Sequence, residues 1–190
     1  MVARHNAALA RAPETEQLTA ILRLLMLLLL PALSWADSLP LPIGQTQILP
    51  GPYLSFWEDP SGEASFSDIR ALPDSAWQAV DRRDASFGYS GSAYWLRLDV
   101  HNPHSRSLGW VLLVGNPLLD YLDAYGLDGE RVYRAGDQRP FSWRWVEHRQ
   151  LALPLHVEAG EQRRIWLRMQ TAGSANLSAS LMTHEAFDHQ

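Results

Sequence analysis

Tyr94-Trp95-Leu96-Arg97-Leu98-Asp99-Val100-His101 alternates without a break. Successive side chains of a β-strand point to opposite faces. Tyr94, Leu96, Leu98 and Val100 therefore make an apolar face, and Trp95, Arg97, Asp99 and His101 point the other way. Residues 163–170 repeat the pattern, with Ile165, Leu167 and Met169 opposed to Arg164, Trp166, Arg168 and Gln170. Both runs contain Trp-Leu-Arg, at 95–97 and 166–168, so each strand sets a Trp and an Arg on the polar side of its sheet.

Outward from these two runs, short apolar stretches recur at 53–57, 110–114, 119–125, 131–135, 150–155 and 176–182. Turn signals separate them: Asp59-Pro60-Ser61-Gly62, Asn102-Pro103, Gly115-Asn116-Pro117 and Ala159-Gly160. Leu127-Asp128-Gly129-Glu130 reads as a hairpin turn, because Asp-Gly supplies the positive φ that such turns require. Residues 67–85 are less regular, with a helical turn expected around Asp74-Ser75-Ala76-Trp77. No segment carries a long 3.6-residue apolar period, which excludes the crossover helices of an α/β fold. The pattern predicts an all-β fold of about eight antiparallel strands in two layers.

The amino terminus has a different composition. Arg4, Arg11 and Arg23 precede Leu24-Leu25-Met26-Leu27-Leu28-Leu29-Leu30, and Ser34 and Ala36 follow. A positive region, a short apolar run and small residues are the three parts of a secretory signal. The run falls well short of the ~20 residues that span a bilayer. Residues 1–36 are thus expected to be a signal peptide cut after Ala36. Glu14 and Glu16 in a long positive region leave two other readings open, a start further downstream or an uncleaved anchor. Residues 37–52, with Pro40, Pro42, Pro50 and Pro52, read as an extended lead-in. The sandwich is expected over 53–182, and a short polar exit over 183–190.

Removing 1–36 leaves 154 residues, enough for one domain with a full core. That part holds 13 Arg, no Lys and 19 Asp and Glu, a formal charge of −6. An acidic balance with scattered arginines argues against nucleic acid as a partner. With no cysteine in the chain, disulfide staples are excluded and stability must come from the core.

Two places could carry function. The first is the Trp/Arg face of Trp95, Arg97, Trp166 and Arg168. Indoles stack on sugar rings and guanidinium groups donate forked hydrogen bonds, so a carbohydrate platform fits. A cross-strand cation–π pair, which needs no ligand, is the more ordinary reading, since such pairs are common. The second is residues 140–149, where Trp143, Arg144, Trp145, His148 and Arg149 crowd one expected loop. Such a loop is either a binding rim on a rigid sandwich or a flap with Trp143 and Trp145 turned into the core. His101 and His104, and His184 and His189, have no completing ligands for a tetrahedral metal set. Ser90-Gly91-Ser92 lacks the strand–elbow–helix setting of a hydrolase nucleophile. The pairs Asp120/Asp123 and Asp81/Asp84 read as solvated turn charge rather than glycosidase carboxylates. No catalytic residue and no cofactor motif is expected.

From residue 53 to about 182 the chain resembles the second extracellular domain family of bacterial seven-transmembrane receptors with diverse intracellular signalling modules. The stretches that carry the resemblance are residues 53–62, 87–97, Asn102-Pro103, Asn116-Pro117-Leu118-Leu119-Asp120, Tyr125, Gly136-Asp137, Pro140-Phe141 and Trp166-Leu167-Arg168. The resemblance implies a jelly-roll-like β-sandwich in the periplasm that senses a carbohydrate or other small molecule. It also implies tethering to the inner membrane in a full-length receptor, with a diguanylate cyclase or histidine kinase as output. The implied partners are that ligand and the receptor's own transmembrane region, and a homodimer is compatible with it. A stand-alone secreted carbohydrate-binding module is the alternative, and a carbohydrate-active enzyme a weaker one. Amino-terminal sequencing of the exported protein should begin at Asp37; recovery of the leucine-rich segment would instead make it an anchor.

Overall fold

The alternation over 94–101 turns one face of a central strand inward, and a computed structural model describing residues 38–80 and 83–190 builds outward from it. In chain order the elements are β1 (Leu39–Pro40), β2 (Gln47–Ile48), β3 (Leu54–Asp59), α1 (Phe66–Ala71), β4 (Gln78–Ala79), β5 (Ala85–Tyr89) and β6 (Ala93–His101). There follow β7 (Leu108–Val114), β8 (Tyr121–Asp128), β9 (Arg131–Ala135), β10 (Leu151–Val157), β11 (Gln162–Gln170), β12 (Ser174–Leu177), β13 (Ala179–Thr183) and α2 (His184–Asp188). The expected signal segment and Asp81 lie outside the described residues.

A seven-stranded sheet runs β4-β3-β6-β11-β8-β9, with β1 lying parallel beside the end of β6. A four-stranded sheet runs β10-β7-β13-β2, and β12 and β5 form a separate ribbon. Every pairing except β1 with β6 is antiparallel. The fold is therefore an all-β sandwich. Its core joins Tyr94, Leu96, Leu98, Ile165 and Leu167 of the larger sheet to Leu112, Val114, Leu153, Leu155 and Leu181 of the smaller.

The strand count differs from the sequence expectation for three reasons, the first being β5, which lies where no strand was expected. Thirteen strands occur among the described residues, and β1, β2 and β4 are two residues long, too short to show a period. The run 176–182, read as one strand, is two, because the chain changes partners at Ser178: β12 pairs with β5 and β13 with β7. The helical turn expected at 74–77 is a 3-10 turn, Asp74–Ala76. The lead-in residues 38–52 contribute β1 and β2, and the exit residues form α2.

Both sheets are covered on their outer faces. Val111, Leu113, Ala152 and Met182 point away from the main core and are buried under Val146, Ala186 and Phe187. Thr183 starts α2 by accepting the Ala186 amide, which turns Phe187 back onto the sheet. On the larger sheet the cover is α1. Its Ser65 and Asp68 form a reciprocal capping box. The loop before it is wound around the buried carboxylate of Asp59, which accepts from the Ser61 hydroxyl at 2.6 Å and the Ala64 amide at 2.9 Å. Burial pushes the Asp59 pKa up, but the bonds from Ser61, Ala64 and Gly62 outweigh it and hold the group below its ordinary value.

Asn102 fastens the opposite end. It is fully buried, and its amide donates to the carbonyls of Arg106 at 2.8 Å, Glu158 at 2.9 Å and Val157 at 3.1 Å, while its oxygen accepts the His104 amide at 3.1 Å. Asn102→Ala should lower stability by about 2–4 kcal/mol, because buried carbonyls lose their donor. Thermal unfolding would show a fall of several degrees, and an unchanged midpoint would contradict this role.

Candidate functional site

The outer face of the larger sheet is where the sequence placed its Trp/Arg pairs. Strands β6 and β11 are direct neighbours, with Trp166 opposite Arg97 and Arg168 opposite Trp95. On the far side of β11, Trp166 faces Tyr125 and Arg168 faces Asp123. The result is two cross-strand rows, one through Trp57, Trp95, Arg168, Asp123 and Arg134, the next through Ser55, Arg97, Trp166 and Tyr125.

Little of this face is open. Trp95 is 1% exposed and its ring lies against Phe66 and Tyr125 at centroid separations of 6.3 and 5.7 Å. It has no surface to offer a ligand. Arg97 bonds Asp74 at 2.6 Å and lies over the Trp77 ring at 4.7 Å. Arg168 donates to the Gly62 carbonyl at 2.8 Å and to Gln170 at 2.9 Å. These two guanidinium groups therefore tie residues 62–77 to the sheet. The cation–π contact foreseen for the face exists, but with Trp77 for Arg97, and with Trp166 for Arg164 at 6.0 Å. Arg164 is also clamped bidentately by Asp99 at 2.6 and 2.9 Å, a hydrogen-bonded pairing that raises its pKa.

Beside this covered patch the surface opens into a cleft of about 360 Å³, lined by Phe66, Arg70, Tyr125, Gly126, Gly129, Glu130, Arg131, Val132 and Trp166. Phe66 stacks on Tyr125 at 4.1 Å and meets Trp166 edge-on at 5.2 Å. Burial, with the Asp123 charge adding to it, raises the Tyr125 pKa, which keeps the phenol a proton donor. The cleft owes its shape to a bulge. Leu122 and Ala124 are core residues two apart, yet the next is Leu127, three further on, and the β8–β9 register shifts over that interval. Gly126 supplies the left-handed φ of +80° there, and a Cβ on it would stand 2.3 Å from the Arg164 carbonyl oxygen.

Residues 140–149 lie elsewhere, at the edge where the two sheets part. Trp143 stands 52% exposed, whereas Trp145 is half-buried and packs on the core. The Trp145 ring meets Tyr133 edge-on at 5.5 Å and carries the Arg131 guanidinium at 4.5 Å. The Tyr133 phenol is buried, which pushes its pKa up to about 12. Arg144 is spent on the loop itself, donating to the His148 carbonyl at 2.7 Å and lying over Phe141 at 4.6 Å. His148 accepts the Gln150 amide at 3.2 Å and rests against Phe187. Arg149 is exposed. The structure thus gathers Trp95, Arg97, Trp166 and Arg168 on one face and the remaining five candidates on another. Phe66, Arg70 and Tyr125 were missed, and the Ser-x-x-Asp capping pattern around Phe66 was the available signal for a helix there.

Among the described residues no group of three or more His, Cys, Asp or Glu is disposed to hold a metal ion, and no helix is long and apolar enough to cross a membrane. The model of the 7TMR-DISM extracellular 2 family matches residues 51–183. A search of curated proteins finds no match. The matching family comprises periplasmic sensor domains of membrane receptors.

The contrast between the two loop tryptophans is testable without a ligand. Trp145→Ala should cost about 2–4 kcal/mol through lost packing, and Trp143→Ala less than about 0.5 kcal/mol. Equal shifts in the thermal midpoints of the two variants would contradict their different burial.

Proposed function

Because the chain belongs to the 7TMR-DISM extracellular 2 family, we propose that this domain is the ligand-binding input of a receptor tethered to the inner membrane. It takes a carbohydrate or another small molecule and reports occupancy to a cytoplasmic output such as a diguanylate cyclase or histidine kinase. Ligand contacts fall among the residues left open to solvent, Trp166 on the sheet face and Trp143 and Arg149 on the edge loop.

The observation that supports this reading is an aromatic cleft beside a patch whose guanidinium groups are tied down. Trp166 and Tyr125 are held by cross-strand pairing, and Phe66 by a capped helix. Ring faces fixed in this way bind without an ordering cost. The described chain also enters and leaves at one end of the sandwich. Leu39 pairs with Val100 at the end of β6, and Thr183 with Trp110 at the start of β7. The β8–β9 turn at Gly129 and Glu130, which forms one wall of the cleft, lies at that same end, because β8 runs antiparallel to β11.

A ligand acts on such a receptor only through its different affinity for two arrangements of the domain. Moving an equilibrium from 1:99 to 99:1 takes about 5.5 kcal/mol of preference, so a weakly bound sugar biases the output without saturating it. In a receptor carrying this domain, deletion of residues 53–182 should change the output activity and abolish its response to ligand. An output indifferent both to the deletion and to added sugars would remove the sensor reading.

A further inference from the structure

Three features of the cleft between α1 and the β8–β9 hairpin bear on what it accepts. It is walled by rings: Phe66 and Tyr125 lie nearly parallel, at an interplanar angle of 14°, and Trp166 closes the base at 78° to Phe66. Its volume, about 360 Å³, is at the small end of ligand sites, which run from about 300 to 1,000 Å³. Its mouth carries Arg70 and Arg131 beside Glu130, and with Arg131 paired to Asp128 the cation left without a carboxylate there is Arg70.

The two arginines are not equivalent. Arg131 bonds Asp128 at 2.9 Å and packs on the Trp145 ring, so it is already neutralised and held. Arg70 sits in the last turn of α1 with its guanidinium 5.8 Å from the Phe66 ring centre. Among the described residues it has no carboxylate partner. Arg97, Arg164 and Arg168, toward the centre of this face, are each bound to an acceptor. An unpaired guanidinium beside a stacked aromatic wall combines a donor fork for a carboxylate with a surface for a ring.

We infer that this cleft binds a small ring-bearing carboxylate of the uronic-acid type, with the ring against Phe66, Tyr125 and Trp166 and the carboxylate on Arg70. The inference rests on the reading of the domain as a ligand-binding sensor and names its site and ligand class. The phenol of Tyr125 and the carboxylate of Glu130 are among the lining groups that can meet ring hydroxyls. The neutral sugar lacks the partner that Arg70 selects, so it binds more weakly.

The test is calorimetric titration of the purified full chain with glucuronate and galacturonate, and with glucose and galactose as neutral counterparts. Each uronate should bind at least about tenfold more tightly than its neutral partner. Arg70→Ala, an exposed position, should remove that preference and leave the thermal midpoint unchanged. Trp166→Ala should weaken all binding, with circular dichroism confirming that the sandwich is retained. No uronate binding, equal binding of acid and neutral sugar, or a preference that survives Arg70→Ala would each overturn the inference. The failures are separable: a different ligand that alters receptor output through this domain would keep the sensor reading and remove this site. Uronate binding to a domain whose deletion leaves the output unchanged would do the reverse.

Discussion

The outer face of the larger sheet is covered at its centre, and that constraint organises the molecule. Trp95 stands on the side of β6 that points away from the core, yet it is buried. An indole of that size, left uncovered at the centre of a sheet, would forgo several kcal/mol of burial. The chain between β3 and β6 supplies the cover, and the polar residues near it serve to hold that cover in place. Asp59 winds the loop, Ser65 and Asp68 start the helix, Arg168 catches Gly62, and Arg97 catches Asp74 and Trp77. Each of these bonds contributes little alone. Together they fix Phe66 over Trp95 and Tyr125, and the cleft is the space that Phe66 does not fill.

The smaller sheet meets the same constraint by a shorter route. Strand β7 is apolar on both sides, with Trp110, Leu112 and Val114 facing the main core and Val111 and Leu113 facing outward. The continuous run is itself the sign of a strand buried on both faces. The cover comes from the chain's last described helix and from Val146 of the edge loop. The domain is therefore a sandwich with a partial third and fourth layer, each built from irregular segments.

These segments are where reading the sequence loses its grip. A period of two assigns side chains to faces, and it assigned Tyr94, Leu96, Leu98 and Val100 correctly to the core. It cannot say whether the other face is wet, because the answer lies in a segment about thirty residues upstream in the chain. Arg97 and Arg168 looked like ligand-facing groups for the same reason, while the structure commits both to local acceptors. The change of sheet at Ser178 left no mark either, since Leu177 and Ala179 are both buried and the apolar run continues through it. Trp143 and Trp145 were indistinguishable by composition. What separates them is the 3-10 turn Phe141–Trp143, after which the backbone extends and brings Trp145 beneath Arg131.

The same irregular segments are what could make a rigid sandwich responsive. The sheets cannot deform continuously, since their cores are close-packed. The covers are irregular segments held by fewer contacts than the sheets, which makes them the parts of the fold that open at least cost. The cleft lies between one such cover and the bulged β8–β9 hairpin, and a ligand gripping both would favour whichever arrangement brings them together. Gly126 sharpens this, because its left-handed backbone sits against the Arg164 carbonyl with no room for a side chain. Any movement of the hairpin relative to β11 must pass through that contact. Arg131 then joins the hairpin to Trp145 and the edge loop, whose His148 rests on Phe187 of α2. Contacts at the cleft hairpin and at α2 thus both involve the edge loop, which under the sensor proposal makes that loop the segment through which an occupied cleft would bias the helix.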